Sequence, residues 1–172
     1  MTIYKCKPEF YDKRDRPWYQ AMYRGTPLEG YYFIEHEDEF LFASTRQGYN
    51  YIWTDENYPF MMGQRCLSYR LLKNRVSGKS PYPKVNATIK VGKSLTIHLH
   101  QIVAQTFLEY PIPDGVTDSE WKRTPKAVKK HFESNYWEAN HIDHDHMNYH
   151  PNNLEWVSRG VNVDKYHEHR VA

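Results

Sequence analysis

The sequence predicts an α+β fold built from antiparallel strands and short helices, and three observations support this prediction. The first half contains short aromatic and β-branched runs separated by polar or glycine positions, a pattern typical of strands. The second half contains apolar residues at helical spacing, which predict short helices. The third observation is the succession at 137–168 of residue patterns typical of a strand, a polar loop, a second strand and a helix. A chain of 172 residues is long enough for one globular unit of this kind.

Strands dominate the predictions for the first half. From Gly30 onward the runs YYFIEH, EFLFAS and GYNYIWT predict an antiparallel meander. Two short helices complete this half. One is predicted near Trp18 to Tyr23, and a basic one over Cys66 to Val76, where leucines recur at helical spacing before the GKSPYP stretch ends it.

A hairpin and two helices are predicted next. In KVNATIKVGKSLTIHLH apolar and polar residues alternate on both sides of Gly92-Lys93, which predicts two strands joined by a turn. Apolar residues at helical spacing predict a helix over Leu99 to Leu108 that packs on this hairpin. Thr124 and Pro125 predict the N-cap and first residue of a further, lysine-rich helix that runs to about Phe132.

The C-terminal segment predicts a ββα unit. A strand over Trp137 to Ile142 and a strand over Leu154 to Val157 flank a polar loop. Ser158 then has the side chain of a helix N-cap, and the predicted helix runs to about His167.

Charge is distributed unevenly along the chain, although the formal net charge is only +2. The segment 26–63 holds seven acidic residues and one basic residue, so we do not expect it to lie along a polyanion. The segment 64–93 holds eight basic residues and no acidic residue. Such a run is commonly a solvated face, but it also suits a phosphate backbone. The six candidate phosphate contacts are Arg65, Arg70, Lys73, Arg75, Lys84 and Lys90.

Two further features of the sequence indicate the cellular compartment. No run approaches the roughly 18 apolar residues of a membrane span, so we expect no membrane association. The two cysteines, Cys6 and Cys66, lie far apart without a CxxC pair that would suggest a zinc or redox site. We therefore expect a reduced compartment, the cytoplasm of the host cell.

Histidine and asparagine are concentrated near the C-terminal end. Five of the ten histidines and five asparagines fall within 140–167. A polar loop with solvated imidazoles would explain most clusters of this kind. A zinc site is a second interpretation, but without thiolates it would need three or four of these histidines as ligands.

The order of these residues is more informative than their number. NHIDHDHMNYHPNNLEWVSRGVN, at 140–162, resembles the ββα-metal finger of the HNH homing endonucleases, whose pattern has the form NHIDGNxxNNxxxNLEWVxxxxN. LHQIVAQTF, at 99–107, resembles the family's VHRLVAxAF helix, and the preceding YPKVNATIKVGKSLTIH resembles its hairpin. The resemblance covers 82–162, about half of the chain.

Two departures from the family pattern affect the expected structure. His144 replaces the family's glycine, so either the loop takes another conformation or this histidine adopts a positive φ. An insertion of roughly twenty residues, which carries the lysine-rich helix, separates LHQIVAQTF from Asn140. The sequence does not indicate the role of this insertion.

The resemblance assigns roles to individual residues. It implies that His141 is the general base and that Asn140 and Asn162 are ligands of one divalent metal ion, Mg²⁺ or Mn²⁺. It also implies that Asn153 braces the loop between the two strands and that His100 is a structural histidine of the helix. Because the last position of the HNH motif holds Asn162, the site is an HNN variant.

The chemistry of these residues agrees with the implied reaction. Phosphodiester hydrolysis needs an attacking water, charge neutralisation at phosphorus and a stabilised leaving oxygen. A histidine near its ordinary pKa can accept the proton of the water at neutral pH. Asparagine oxygens suit a hard cation that retains several waters. Asn140 and His141 are adjacent on a strand, so a bend is needed to bring both to one site.

The expected function is that of an HNH endonuclease that cuts or nicks double-stranded DNA, encoded by a phage or mobile element. We distinguish a strand-rich, basic DNA-recognition region at 1–81 from a nuclease domain at 82–172, with the finger at 137–168. Two alternatives stay open: a non-catalytic DNA-binding protein with a structural finger, and a non-specific or restriction nuclease of the HNH type. The resemblance implies no obligate protein partner.

Overall fold

The computed structural model describes residues 4–12, 14–45, 82–90 and 92–161, together with the backbone of three short strands at 60–62, 65–67 and 70–71. These residues form antiparallel sheets and a few short helices. The predicted α+β class is therefore confirmed.

A meander forms the N-terminal sheet. Its strands are β1 (Phe10–Tyr11), β2 (Pro17–Tyr23), β3 (Thr26–His36) and β4 (Glu39–Ser44), each antiparallel to the next. The helix predicted near Trp18 to Tyr23 is wrong, because this segment is β2. The backbone of this segment pairs with β3 along most of its length, and this distant partner is not visible in the local sequence.

Three short strands follow in the chain, at β5 (Phe60–Met62), β6 (Arg65–Leu67) and β7 (Arg70–Leu71). β5 pairs with β6, and β7 pairs with the edge of β4. The basic helix predicted over 66–76 is therefore wrong at 66–67 and 70–71, and residues 68–69 and 72–76 lie outside the described part of the chain. The open edge of β4 supplies backbone partners that leucine spacing alone does not reveal.

The predicted hairpin and the helix after it are confirmed. β8 (Lys84–Lys90) pairs with β9 (Lys93–His98), and Gly92 at the turn has a φ of 74°. α1 (Leu99–Phe107) follows β9 directly and buries seven of its nine residues. The hairpin and α1 together place the N-terminal end of this helix beside the C-terminal strands.

Two helices fill the insertion before the C-terminal strands. α2 (Asp118–Arg123) begins with a capping box between Thr117 and Glu120, which the sequence analysis did not predict. α3 (Lys126–Tyr136) is the predicted lysine-rich helix, but it begins one residue later and extends farther than expected. Thr124 is the C-cap of α2, so its predicted role as the N-cap of α3 is wrong.

The C-terminal strands are β10 (Trp137–His141) and β11 (Leu154–Ser158), joined by a loop that ends in a 3-10 turn. They pair antiparallel, with Asn140 opposite Glu155 and His141 opposite Leu154. The pairing runs through both residues without a register shift, so the bend expected between Asn140 and His141 is not seen in this pairing. Residues 159–161 are helical, and the Val161 N–H donates to Ser158 Oγ at 3.5 Å. Residues 162–172 lie outside the described part of the chain, so the complete ββα finger stays a prediction.

One apolar core joins the two halves of the sequence. Phe33 and Phe42 of the N-terminal sheet, Val85 and Ile97 of the hairpin, and the buried side of α1 belong to the same cluster. Leu154 of β11 also belongs to it. The C-terminal strands therefore sit on α1, against a core to which the N-terminal sheet contributes.

Within the described part of the chain, no helix is both long and apolar enough to cross a membrane.

Candidate active site

His141 is the last residue of β10 and is only 3% exposed. Its ring contacts aromatic rings from α1, from the loop between β10 and β11 and from the segment before β8. The ring centroid of His100, at the start of α1, is 4.8 Å away, that of His146 in the loop is 5.6 Å away, and that of Tyr82 is 5.7 Å away. His98 at the end of β9 completes the group through contacts with His100 and Tyr82. We call His98, His100, His141 and His146, with Tyr82, the histidine cluster.

Burial determines the charge state of His141. Burial and the neighbouring His146 lower its pKa, while Asp143 and Asp145 act in the opposite direction. The ring is therefore neutral at neutral pH, which is the form that accepts a proton. Its Nε2 atom is buried and has no hydrogen-bond partner among the described residues.

His100 has the most strongly shifted pKa of the cluster. Burial and the nearby His141, His98 and His146 lower its pKa to about 3. It is 6% exposed, and its Nδ1 atom has no described partner. His100 is thus a neutral side chain that packs against His141 from the first turn of α1.

Unpartnered ring nitrogens distinguish this cluster from its surroundings. Among the described residues, five buried side-chain nitrogen or oxygen atoms have no hydrogen-bond partner, and three of them are ring nitrogens of the cluster, on His100, His141 and His146. The other two are indole nitrogens. A buried polar atom without a partner is costly, so such a concentration points to a place that a ligand or water occupies.

Asn140 is oriented by a carboxylate on the opposite strand. Its Nδ2 donates to Glu155 Oε1 at 2.9 Å. The reversed amide would bring its oxygen against a carboxylate oxygen, which is unfavourable because both atoms are acceptors. The contact therefore directs Oδ1 of Asn140 away from Glu155. Glu155 could not be identified from the local sequence, because strand register sets its partner.

Asn153 ties the loop between β10 and β11 together. Its Nδ2 donates to Asp143 Oδ1 and to the Asn148 carbonyl, both at 2.8 Å, and its Oδ1 accepts from the Asp143 N–H at 3.1 Å. Asp143 also accepts from the Asn148 amide and the Asp145 N–H, and these bonds hold its pKa below the ordinary value. His144 adopts a φ of 62°, so the second of the two expected loop solutions is the one observed.

The predicted DNA contacts are only partly described. Lys84 and Lys90 lie at opposite ends of β8, and burial together with the nearby Lys84 lowers the pKa of His98. Only the backbone is described for Arg65 and Arg70, in β6 and β7. Three other predicted site residues lie outside the described residues: Lys73, Arg75 and Asn162.

The donor atoms suit a hard cation at Asn140. Within the described ranges, no three or more His, Cys, Asp or Glu side chains are arranged to hold a metal ion. The predicted ligands are of a different type, since they are asparagine amides. The Oδ1 atom that Asn140 directs away from Glu155 fits an oxygen-seeking ion such as Mg²⁺.

Three other members of the histidine cluster were missed from the sequence. His146 and Tyr82 contact His141 only through folding, and His98 contacts His100 and Tyr82. The HLH triplet at 98–100 was a usable signal for His98, because it places two imidazoles at a strand-to-helix junction.

No family model, curated protein or solved structure matches the chain.

Proposed function

We propose that this chain is a metal-dependent DNA endonuclease of the HNH type, which hydrolyses phosphodiester bonds of double-stranded DNA. One observation carries the proposal. A buried, neutral histidine with an unpartnered ring nitrogen, His141, directly follows an asparagine whose amide oxygen is oriented by a carboxylate. These are the two side chains to which the motif assigns proton transfer and metal binding.

His141 performs the proton transfer. The lowered pKa keeps the imidazole neutral, so that it accepts the proton of the attacking water. Rings of the histidine cluster surround it and restrict its rotation, which preserves the direction in which it faces. Asn153 acts indirectly, because its hydrogen bonds keep the loop closed between the two strands.

Asn140 and Asn162 would hold one Mg²⁺ or Mn²⁺ ion. When bound, such an ion neutralises phosphate charge and stabilises the leaving oxygen. Because both ligands are neutral, metal affinity should be low until a DNA phosphate adds its negative charge. Glu155 contributes by keeping the oxygen of Asn140, and not its NH₂ group, on the side away from the carboxylate.

Double-stranded DNA is the proposed substrate. The basic residues at 64–93 supply phosphate contacts, namely Arg65, Arg70, Lys73, Arg75, Lys84 and Lys90. Lys84 is the member of this set with a described position next to the histidine cluster. A homing role, with an origin in a phage or mobile element, is part of the proposal and follows from the motif alone.

The test is incubation of supercoiled plasmid with the purified full chain and Mg²⁺ or Mn²⁺, with EDTA as the control. We expect conversion to nicked or linear DNA that EDTA abolishes. Discrete products would indicate a site-specific enzyme, and a smear would indicate a non-specific nuclease. Binding of duplex without any cleavage under both metals would contradict the proposal and favour a non-catalytic DNA-binding protein.

A further inference from the structure

The helical hairpin formed by α2 and α3 contributes nothing to the core. Neither helix contains a buried residue, and Val128 in α3 is 54% exposed. The hairpin nonetheless has a defined structure. Trp121 contacts Phe132 edge to face with centroids 5.9 Å apart, and Phe132 stacks on Tyr136 at 4.4 Å. It is therefore a locally stabilised projection, which we call the arm (residues 117–136).

Positive charge is concentrated where the two helices of the arm meet. Five cations lie within 122–130, a stretch without an acidic residue. They are Lys122, Arg123, Lys126, Lys129 and Lys130. Among the described ion pairs none involves any of these five residues. The arm has three acids: Asp118 and Glu120 lie in the first turn of α2, where Glu120 completes the capping box, and Glu133 in α3 lies near Lys5 and Lys129.

These charges differ in how they suit the helices that carry them. Lys122 and Arg123 lie in the last turn of α2, where the helix dipole favours cations. α3 has no side-chain N-cap and no acidic residue in its first turn, and Lys126 is its first residue. A cation at the N-terminal end of a helix is unfavourable, because the helix dipole is positive there. Lys126 therefore does not stabilise α3, and its charge suits an anionic partner outside the helix.

The arm is joined rigidly to the candidate active site. α3 ends at Tyr136 and β10 begins at the next residue, so no linker separates the arm from Asn140. The lengths of the helix and strand limit the separation of Lys126 and Asn140 to roughly 30 Å. This is less than one turn of B-DNA, which is about 34 Å. On the other side, Lys130 packs against Gly25, where an added Cβ would lie 3.1 Å from its Cε atom.

We propose that the basic corner of the arm binds the phosphate backbone of duplex DNA, within about one helical turn of the scissile phosphate. The choice of DNA as the polyanion rests on the proposed function. The clustering of five cations, the lack of fully buried residues in α2 and α3, and the direct connection to β10 are independent of it. This contact lies outside the basic segment 64–93, so DNA is held from two places on the molecule.

The experiment compares two triple variants at the same exposed positions. The first replaces Lys122, Lys126 and Lys130 with Gln, and the second replaces them with Arg, which keeps the charge. Binding to a fluorescently labelled duplex of several helical turns is measured by anisotropy in EDTA, from low to high salt, so that cleavage plays no part. Circular dichroism checks that both variants are folded.

We expect the Gln variant to bind at least about tenfold more weakly at low salt and to lower the slope of log K against log salt by about 2 to 3, one unit or slightly less for each lost contact. The Arg variant should match the wild type. Wild-type affinity and slope in a folded Gln variant would overturn the proposal, as would a loss of binding to anionic lipid vesicles with duplex binding unchanged.

The same samples separate the arm from the nuclease activity. If the Gln variant loses duplex binding while the wild type never cuts plasmid, the arm proposal stands and the proposed function fails. If the wild type cuts plasmid and the Gln variant binds as well as the wild type, the arm proposal fails and the proposed function stands. A wild type that does not bind duplex at all would overturn both.

Discussion

The loop between β10 and β11 and the histidine cluster lie side by side but satisfy their polar atoms in opposite ways. In the loop, Asn153 and Asp143 share hydrogen bonds with each other and with neighbouring backbone. In the cluster, ring nitrogens of His100, His141 and His146 are buried without a described partner. His146 connects the two, since it belongs to the loop sequence and to the cluster.

This difference separates groups that hold the structure from groups that are available for chemistry. Hydrogen bonds that are already made stabilise one loop conformation. Buried nitrogens that lack partners leave interactions open for a water or substrate, at a cost in stability. The comparison predicts that loop substitutions reduce stability first, whereas substitution of His141 reduces cleavage first.

The largest expected effect is that of His141→Ala on cleavage. General-base catalysis is worth about 10² to 10⁴ in rate, so single-turnover cleavage should slow at least about a hundredfold. Duplex affinity measured in EDTA should stay near that of the wild type, because phosphate contacts elsewhere provide it. His144→Asn is the control, since asparagine tolerates the positive φ at this position. Full activity of His141→Ala at saturating Mg²⁺ would show that the base lies elsewhere.

A second large effect is expected in stability, from Asn153→Ala. This change removes three side-chain hydrogen bonds of a buried residue, each worth about 0.5 to 1.5 kcal/mol net, so the free energy of unfolding should fall by about 2 to 4 kcal/mol. Asn152→Ala, at the exposed neighbour in the same turn, should change it by less than about 0.5 kcal/mol. Equal urea unfolding curves for the two variants would show that the side-chain hydrogen bonds of Asn153 do not stabilise the loop.

His100 links the cluster to the pH dependence of stability. Its pKa is about 3 in the folded state and lies in the ordinary histidine range when unfolded. Between these values the unfolded chain binds the additional proton, so stability falls as pH decreases through this window, by up to about 1.4 kcal/mol per pH unit. His100→Phe keeps a ring without the titration, and its unfolding free energy should depend less on pH below the ordinary range. Parallel pH curves for the two proteins would refute this assignment.

The smallest expected effect concerns Glu155, which we assign as a positioning residue for Asn140. Glutamine can present either amide atom to Asn140, so Glu155→Gln removes the preference for one orientation. The Mg²⁺ concentration needed for half-maximal cleavage should rise about two- to tenfold, with the rate at saturating Mg²⁺ nearly unchanged. Glu138→Gln is the control, because it also removes one negative charge, from β10 instead of β11. Identical Mg²⁺ titrations of all three proteins would exclude this role.

Segments with a regular pattern were predicted well from the sequence. The alternation in β8 and β9 and the helical spacing in α1 reflect burial of one face, which the order of apolar residues records directly. The first two strands of the meander predicted from Gly30, β3 and β4, follow for the same reason, whereas the third predicted run, GYNYIWT, lies outside the described residues. His141 and Asn140 could be singled out because their surroundings form a continuous motif.

Features that depend on distant partners could not be predicted in this way. β2 is a strand because β3 pairs with it, and β7 because the edge of β4 is open. Glu155 reaches Asn140 through the register of two strands that are separated by a loop. The capping box of α2 is different, because it is a local sequence pattern: Thr117 is followed three residues later by Glu120. It was available from the sequence but was not predicted.

The packing of Phe107 has a consequence for attempts to excise the C-terminal half of the chain. This last residue of α1 contacts the rings of Tyr4, Tyr19, Phe33 and Phe40, all from the N-terminal half, at centroid distances of 4.7–5.4 Å. A fragment that begins at the hairpin would expose this ring and the side of α1 around it to water. Grafting the histidine cluster onto another protein would therefore require transfer of the N-terminal sheet as well, or a redesigned surface on α1.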